Sequence, residues 1–289
     1  MKVNEIKYFL KANAKPICQW NDFLELTHKY TKDVEWIFRG QSLFEWDLTT
    51  SIERRADELG ITKSKLPDIE NRLLRKFKRQ FRHYAQHIPD DDRFDEWFSI
   101  MQHYGAPTRM LDFTYSMPIA LFFAIENAEK DKEACIWCIN NNWLKEKFKK
   151  NAPRKYKKAV KKDPLGKSAS VSKTLFTVNK DFVHAINPYN LNERLSIQQG
   201  VFVIPLNLEN NFMCNMASVF ESPEEVENVE LIKINCSDIF LKDAYYGLNR
   251  MNITRASLFP GLEGFSAYLK MLMLLPEIVA AENKKGERR

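Results

Sequence analysis

The sequence lacks the segments that would direct a chain into or across a membrane. The N-terminus has no continuous apolar stretch of the kind found in secretory signals. The longest late apolar run, residues 269–281, is interrupted by Lys270, Pro276 and Glu277, and it is shorter than the ~20 residues that a membrane span needs. We therefore expect a cytoplasmic protein with no membrane partner.

The sequence also lacks the short motifs of several large enzyme classes. It has no phosphate loop that ends in Gly-Lys-Ser/Thr and no Gly-x-Gly-x-x-Gly fingerprint, which disfavours kinases, ATPases and Rossmann dehydrogenases. No Gly-x-Ser-x-Gly elbow is present, and no cysteine lies in an activating context. A nucleophilic triad is therefore disfavoured as well.

The five cysteines are odd in number and irregularly spaced, which argues against a disulfide framework. Cys135 and Cys138 form a Cys-x-x-Cys, but the surrounding residues have the pattern of a buried strand. Positions i and i+3 of a strand point to opposite faces, so we interpret both residues as core thiols. No second Cys or His pair follows at zinc spacing, and we expect no metal.

The composition is that of a globular protein able to bury a large core. Hydrophobic residues make up 44% of the 289 residues, with 20 Phe and 6 Trp. The net charge of +6 permits an anionic partner without requiring one. We find no internal repeat or linker and expect a single domain over residues 1–289.

The periodicity predicts an α+β fold, a mixed sheet framed by helices. Apolar residues recur at helical spacing in residues 18–30, 67–87, 94–103 and 256–273, whereas strand patterns occupy residues 34–39, 199–204, 230–235 and the stretch around 136. Residues 116–128, with Ser116 as cap, form a helix that is apolar on every side and must be central.

Two stretches have a strongly charged composition. Residues 143–167 contain eleven Lys or Arg against two acids, and we interpret them as an exposed helical insertion. Residues 282–289 form a charged tail that we expect to be frayed. The cations on the second face of the helix at 67–87 are interpreted as a solvated face, with a nucleic-acid or phosphate surface as the alternative.

The densest polar cluster is residues 101–114, with the sequence MQHYGAPTRMLDFT, between two helices. Turn-rich loops held by rigid elements are where sites usually form. Arg39, at the end of a strand and before Gly40, is a second candidate. A purely structural alternative remains open, in which Asp112 pairs with Arg109 or with Arg39 and braces the core.

Together these segments resemble the FRG domain family. The resemblance rests on Phe38-Arg39-Gly40, on residues 102–114 and 118–124, and on two later stretches at 194–202 and 252–264. It runs from about residue 20 to about residue 270. It implies a microbial protein from a mobile-element or phage-defence setting, without fixing a reaction.

The chain also resembles ADP-ribosyltransferases at the level of pattern. These enzymes have Arg or His before Gly on an early strand, a Ser/Thr-rich strand leading into a helix, and a Glu or Gln before a later strand. The likeness implies NAD as substrate and a toxin or defence effector as the role. It implies two sets of site residues: catalytic Arg39, His103, Asp112 and Gln199, and NAD-binding Gly40, Tyr104, Arg109, Thr114 and Gln198.

The third element departs from the active enzymes, because Gln198-Gln199 stands where they usually have Glu. Glutamine can position a ribose hydroxyl but cannot act as a base, so Asp112 or Glu263 would have to supply the carboxylate. Otherwise the site would bind without turnover. The alternative function is therefore a non-catalytic module that binds a nucleotide or nucleic acid. A metal hydrolase using His83, His87, His103 and Asp112 is disfavoured by the cations around the first two.

Overall fold

The computed structural model of the protein describes residues 2–30, 34–85, 88–163, 168–188 and 193–273. Its described part is an α+β fold built on one mixed, open sheet. The strands are β1 Lys15–Ile17, β2 Trp36–Gln41, β3 Leu111–Thr114, β4 Glu133–Asn140, β5 Val183–Ile186, β6 Gly200–Pro205 and β7 Val229–Asn235. Their order across the sheet is β1-β7-β4-β2-β3-β6-β5. β1 is parallel to β7, and every other neighbouring pair is antiparallel.

Helices cover both faces of this sheet. They are α1 Val3–Ala12, α2 Trp20–Tyr30, α3 Ser51–Glu58, α4 Leu66–Phe81, α5 Phe94–His103, α6 Met117–Ile125, α7 Asn141–Asn151, α8 Arg154–Lys162, α9 Ala169–Phe176, α10 Glu193–Ile197, α11 Phe212–Ala217, α12 Asp238–Arg250, α13 Arg255–Leu258 and α14 Leu262–Leu272. The predicted α+β class, with helices framing a mixed sheet, is thus confirmed.

Strand β4 shows why the sheet needs helices on both sides. Cys135 and Trp137 belong to one apolar core, while Ile136 and Cys138 belong to the core on the opposite face. Burial raises the pKa of the Cys135 thiol to about 12, and burial also raises the pKa of Cys138. Both thiols are therefore inert packing groups, as the sequence pattern predicted.

Helix α6 is the central helix predicted from the sequence. Its Ser116 cap accepts a hydrogen bond from the Ile119 amide at 3.4 Å, and all its residues except Pro118 and Phe123 are buried. It packs on β2, β3 and β4. The helix ends at Ile125, three residues before the expected 128, because residues 126–127 form a turn toward β4.

The basic stretch differs from the expectation of a wholly exposed insertion. Helix α7 places Leu144 and Phe148 in the core, and only α8 presents no buried side chain. The reason is amphipathicity, since the apolar positions of α7 lie four residues apart on one face. Helix α4 ends at Phe81 and is followed by a turn at residues 82–84, so it is shorter than the helix expected over residues 67–87. His87 itself, part of the insertion at 164–167, and the tail 282–289 lie outside the described residues.

Candidate functional site

A cleft of about 560 Å³ opens beside the point where β2 and β3 separate. The two strands are antiparallel neighbours, yet they pair only at Phe38 and Thr114. Residues of both strands line the cleft, together with the segment after β2, the C-terminal half of α6, and α10. Beyond this pair, the backbone N–H and C=O groups on the facing edges of β2 and β3 are not used in pairing these two strands. They are available to side chains and ligands.

Arg39 lines this cleft from β2. Its Nη1 donates a hydrogen bond of 2.7 Å to the backbone carbonyl of Asp112, and its buried Nε–H has no partner within the described ranges. Burial lowers the pKa of this guanidinium, and the nearby Arg54 lowers it further, while Asp112 raises it. The Arg39 group thus stays cationic, because an arginine pKa starts far above neutrality. Of its five N–H donors, most have no partner in the part of the chain that the structure describes.

Two more arginines line the same cleft. Arg54 on α3 donates to the Thr49 carbonyl, and the Arg194 guanidinium lies 4.3 Å from the centre of the Phe259 ring. Burial lowers the pKa of Arg194, the charge of Asp112 raises it, and the neighbouring Arg255 lowers it. Among the described residues, neither these two arginines nor Arg39 forms an ion pair with a side-chain carboxylate. Three cations without a bound counter-charge make the cleft attractive to an anion.

The acids of the cleft offset its positive character only in part, because two of the three have other partners. Asp47 pairs with Lys7, and Glu126 accepts from Arg255 at 2.7 and 2.9 Å. The Asp112 carboxylate instead accepts a hydrogen bond of 2.8 Å from the Gln102 amide. Asp112 is thus a carboxylate in the cleft that has no basic ion-pair partner in the described part of the chain.

Gly40 acts in packing. A Cβ atom built on Gly40 would lie 2.0 Å from the Ala120 carbonyl oxygen and 2.5 Å from the Ala124 amide nitrogen. The backbone of α6 therefore rests directly on β2, and this contact sets the depth of the cleft. Gly40 therefore helps to shape the wall of the cleft by allowing α6 to approach β2.

The next three predicted site residues differ in their position relative to the cleft; they are Thr114, Gln198 and Gln199. The buried Thr114 hydroxyl donates to the Gln198 carbonyl at 2.7 Å, and Gln198 lines the cleft while its Nε2 donates to Leu258. Gln199 is exposed, has a positive φ of 47° and does not line the cleft. Of the two glutamines, Gln198 is therefore the one placed to meet a ligand.

Arg109 lies outside the cleft. Its Nε is 2.9 Å from both carboxylate oxygens of Glu70 on α4, its Nη2 also contacts that carboxylate, and the residue is only 6% exposed. This bidentate pair answers the bracing alternative, because the acid that pairs with Arg109 is Glu70 and not Asp112. The expected contact of Arg109 with NAD is not available in this arrangement.

His103 and Tyr104 lie beside the cleft rather than within it. His103 borders a smaller adjoining cavity of about 60 Å³, which shares Asp112, Arg194 and Gln198 with the cleft. Burial and the charge of Arg194 lower the pKa of His103. Tyr104 is 68% exposed and lines neither cavity, so the expected stacking of its ring on a ligand is not supported.

Aromatic residues that sequence reasoning missed stand at the cleft instead. Trp46, 52% exposed, lines one wall, and Phe123 of α6 lines another. Arg54 and the role of Arg194 were missed as well. Trp46 lies near Arg54 in the sequence, and an aromatic residue near an arginine is a usable signal for a nucleotide site. It was overlooked because both residues are far along the chain from the 101–114 motif.

The described residues contain no group of three or more His, Cys, Asp or Glu side chains that could hold a metal. His83 is exposed on the turn after α4, and His87 lies outside the described ranges. Within the same part of the chain, no helix has both the length and the apolar character that a bilayer crossing requires.

Comparison with known proteins gives one result. Residues 34–133 match the FRG domain family, a span that covers β2, the 101–114 motif and α6. This span is narrower than the resemblance expected over residues 20–270, since the two later stretches lie outside it. Neither the curated proteins nor the solved structures contain a match to this chain.

Proposed function

From the premise that this chain carries an FRG domain at residues 34–133, we propose that its cleft binds a nucleotide with a diphosphate group, and that NAD is the substrate. The observation that carries this proposal is the convergence of Arg39, Arg54 and Arg194 on one cleft without an ion pair to any described carboxylate. Guanidinium groups bind phosphate oxygens through paired, charge-assisted hydrogen bonds.

The shape of the cleft supports a nucleotide rather than inorganic phosphate. Its volume of about 560 Å³ lies in the range of sites for small molecules and cofactors. Trp46 and Phe123 provide aromatic surface on which a base or nicotinamide ring can stack. A ligand with a diphosphate near Arg39 and a ring against Trp46 would use both the charge and the apolar wall.

The proposed reaction is ADP-ribosyl transfer or hydrolysis. The bond between the nicotinamide nitrogen and C1′ of ribose breaks, and its electron pair leaves with nicotinamide. The ribose then carries positive charge, as in glycoside transfer. Water or a target side chain forms the new bond to C1′ and loses its proton to a carboxylate or to solvent. Asp112 is our candidate for that carboxylate, because it lines the cleft and forms no ion pair among the described residues.

Binding without turnover is the second candidate function, and one observation favours it. The pair Gln198-Gln199 stands where the resemblance to active transferases implies Glu, and the Nε2 of Gln198 donates to the Leu258 carbonyl. If Asp112 does not act on the ribose, the cleft would sense or sequester a nucleotide. The role of toxin or defence effector, which the sequence resemblance implies, is compatible with turnover of NAD and with binding alone.

The first experiment compares wild type with Arg54→Gln and the matched neighbour Arg55→Gln in calorimetric titrations with NAD and ADP-ribose. Both arginines are exposed on α3, but only Arg54 lines the cleft, whereas Arg55 pairs with Glu58. We expect Arg54→Gln to weaken binding about tenfold and Arg55→Gln to leave it unchanged. No binding by wild type would refute the nucleotide cleft.

The second experiment tests the chemistry. Purified protein is incubated with adenine-labelled NAD and a cell lysate, beside Asp112→Asn. Label transferred to macromolecules identifies a transferase, and free ADP-ribose identifies a hydrolase. Binding by the wild type in calorimetry, combined with no turnover in either form, would reject the enzyme and favour the non-catalytic candidate.

A further inference from the structure

A row of arginines follows the exposed face of α4 and its C-terminal cap, away from the cleft. The row consists of Arg72, Arg75, Arg79 and Arg82, all exposed. Their spacings of three, four and three residues place them on one stripe of the helix. At 1.5 Å of rise per residue, the stripe is about 15 Å long.

These charges are poorly compensated within the protein. In the described ranges, the side chains of Arg72, Arg75 and Arg79 take part in no ion pair, and Arg82 approaches Asp91 only at 3.7 Å. Glu70, on the same helix, is buried against Arg109 and is not available to the stripe. Like charges at these spacings destabilise a helix by about 0.2–0.5 kcal/mol per pair. An external polyanion would remove this repulsion.

The stripe forms one wall of a groove and not a flat surface. The groove has a volume of about 640 Å³, and its lining includes the cations Arg75, Lys78, Arg79 and Arg82, the ring of Phe94 and one acid, Asp91. Lys78 lies over the Phe94 ring at 5.0 Å from its centre. A concave channel with cations along its length fits a linear polymer better than the plane of a membrane.

We propose that this α4 groove binds the sugar–phosphate backbone of single-stranded nucleic acid. Guanidinium groups match the geometry of phosphate oxygens, and a nucleic-acid backbone presents its phosphates at regular intervals. An acidic peptide presents its carboxylates at less regular intervals. Tyr84 follows the stripe in the chain and is 84% exposed, so its ring is free to stack on an unpaired base. The inference goes beyond the nucleotide cleft, because α4 contributes no residue to the lining of that cleft.

The test measures binding of fluorescently labelled single-stranded DNA and RNA by anisotropy across a salt series. The groove variant is Arg75→Glu/Arg79→Glu. Its matched control, Lys158→Glu/Lys161→Glu, makes the same charge change on the exposed basic helix α8. All three proteins are checked for unchanged thermal unfolding, which is expected because the four altered side chains are exposed.

We expect the groove variant to bind at least about tenfold more weakly at about 50 mM salt, and its salt dependence to lose about 1.4 in logarithmic slope, which corresponds to two single-strand phosphate contacts. The α8 control should stay close to wild type. A further variant, Tyr84→Ala, should weaken binding about fivefold or more through lost stacking.

Three results would overturn the proposal. They are absence of binding by the wild type at low salt, equal weakening by the groove variant and the α8 control, or a preference for anionic vesicles or poly-glutamate over the oligonucleotides. Failure of the nucleotide cleft is measured separately, because Arg54→Gln should leave oligonucleotide binding intact.

Discussion

Arg39 and Arg109 come from the two sequence segments that define the candidate site, yet their guanidinium groups have opposite environments. Arg109 is buried and makes a bidentate pair with Glu70. Arg39 lines a cleft and donates to one backbone carbonyl, and no described group accepts from its Nε–H. One group is satisfied by the protein itself, and the other has donors left for a ligand.

This difference separates a structural arginine from one available for binding, although both segments were expected to form one site. Breaking a buried ion pair leaves a charge without a partner, so Arg109 should contribute mainly to stability. A cation that no carboxylate neutralises contributes little to folding and can contribute much to binding an anion. The hydrogen-bond partners of each arginine therefore indicate what its loss should change.

The largest expected effect is on the stability of Arg109→Ala. Removing this side chain leaves the Glu70 carboxylate buried without a cation, which should lower the free energy of unfolding by about 3–5 kcal/mol. Urea denaturation of wild type, Arg109→Ala and Arg109→Ala/Glu70→Gln measures this effect. The double variant should recover part of the loss, and a single-variant loss below about 1 kcal/mol would contradict the assignment.

The second effect concerns the contact between Gly40 on β2 and the backbone of α6. In Gly40→Ala, the new Cβ would overlap the α6 backbone, so we expect a loss of about 2–3 kcal/mol or an insoluble protein. Gly60→Ala is the control, because Gly60 has open space around it and only the strain of its positive φ of 65°. That control should lose about 1 kcal/mol. Similar losses in both variants would mean that α6 is not seated as described.

The third effect separates binding from stability at Arg39. Arg39→Gln should change the free energy of unfolding by less than about 1 kcal/mol and weaken NAD binding roughly tenfold or more, through the loss of charge-assisted hydrogen bonds. Chemical denaturation and calorimetry on the same samples give the two numbers. A large stability loss with unchanged affinity would reverse the contrast with Arg109.

A smaller effect is expected from Trp46→Ala. The half-exposed side chain contributes little to the core, whereas loss of stacking should weaken nucleotide binding by about 1 kcal/mol, or roughly fivefold. Quenching of tryptophan fluorescence by NAD in wild type, and reduced quenching in the variant, would place the ring of the ligand at this wall. Unchanged affinity would leave Phe123 as the remaining aromatic contact.

The smallest effect is the titration of His103. Its pKa is lowered by burial and by Arg194, so protonation is disfavoured in the folded protein. Its contribution to stability is therefore lost as the pH falls from the unfolded pKa of about 6.5 through the folded one. Nuclear magnetic resonance should show this pKa below the ordinary value in wild type and closer to it in Arg194→Gln. An identical pKa in both would remove Arg194 from the vicinity of His103.

The sequence predicted the elements that have one strong periodicity. The α4, α5 and α6 helices and strands β2, β4, β6 and β7 were expected close to where they lie, because each has a continuous apolar stripe or an apolar run. The short strand β1 was missed, since three residues carry too little pattern. Helix α3 was missed because its main signal is the Thr50–Glu53 capping box, at the start of a helix of only eight residues.

The candidate site was predicted only in part. Arg39, Asp112 and Gln198 were expected together, and all three line the cleft. The partners of arginines could not be read from the chain, because Glu70 is 39 residues from Arg109 in sequence. Arg194 is about 140 residues from Arg54 and Trp46 in sequence, and only the folded arrangement of helices around the sheet brings the three residues to one cavity.

The single pairing of β2 with β3 has a mechanical consequence. Strands β1, β7, β4 and β2 form one plate, and β3, β6 and β5 form another. At the seam, the two plates share one ladder position, Phe38 with Thr114, under the helix α6. Arg39 belongs to the first plate, and Arg194 precedes β6 of the second. A ligand that binds both arginines would link the two plates across the boundary between β2 and β3. Occupancy of the cleft should therefore stiffen the whole sheet, and hydrogen exchange should slow in strands on both sides of it.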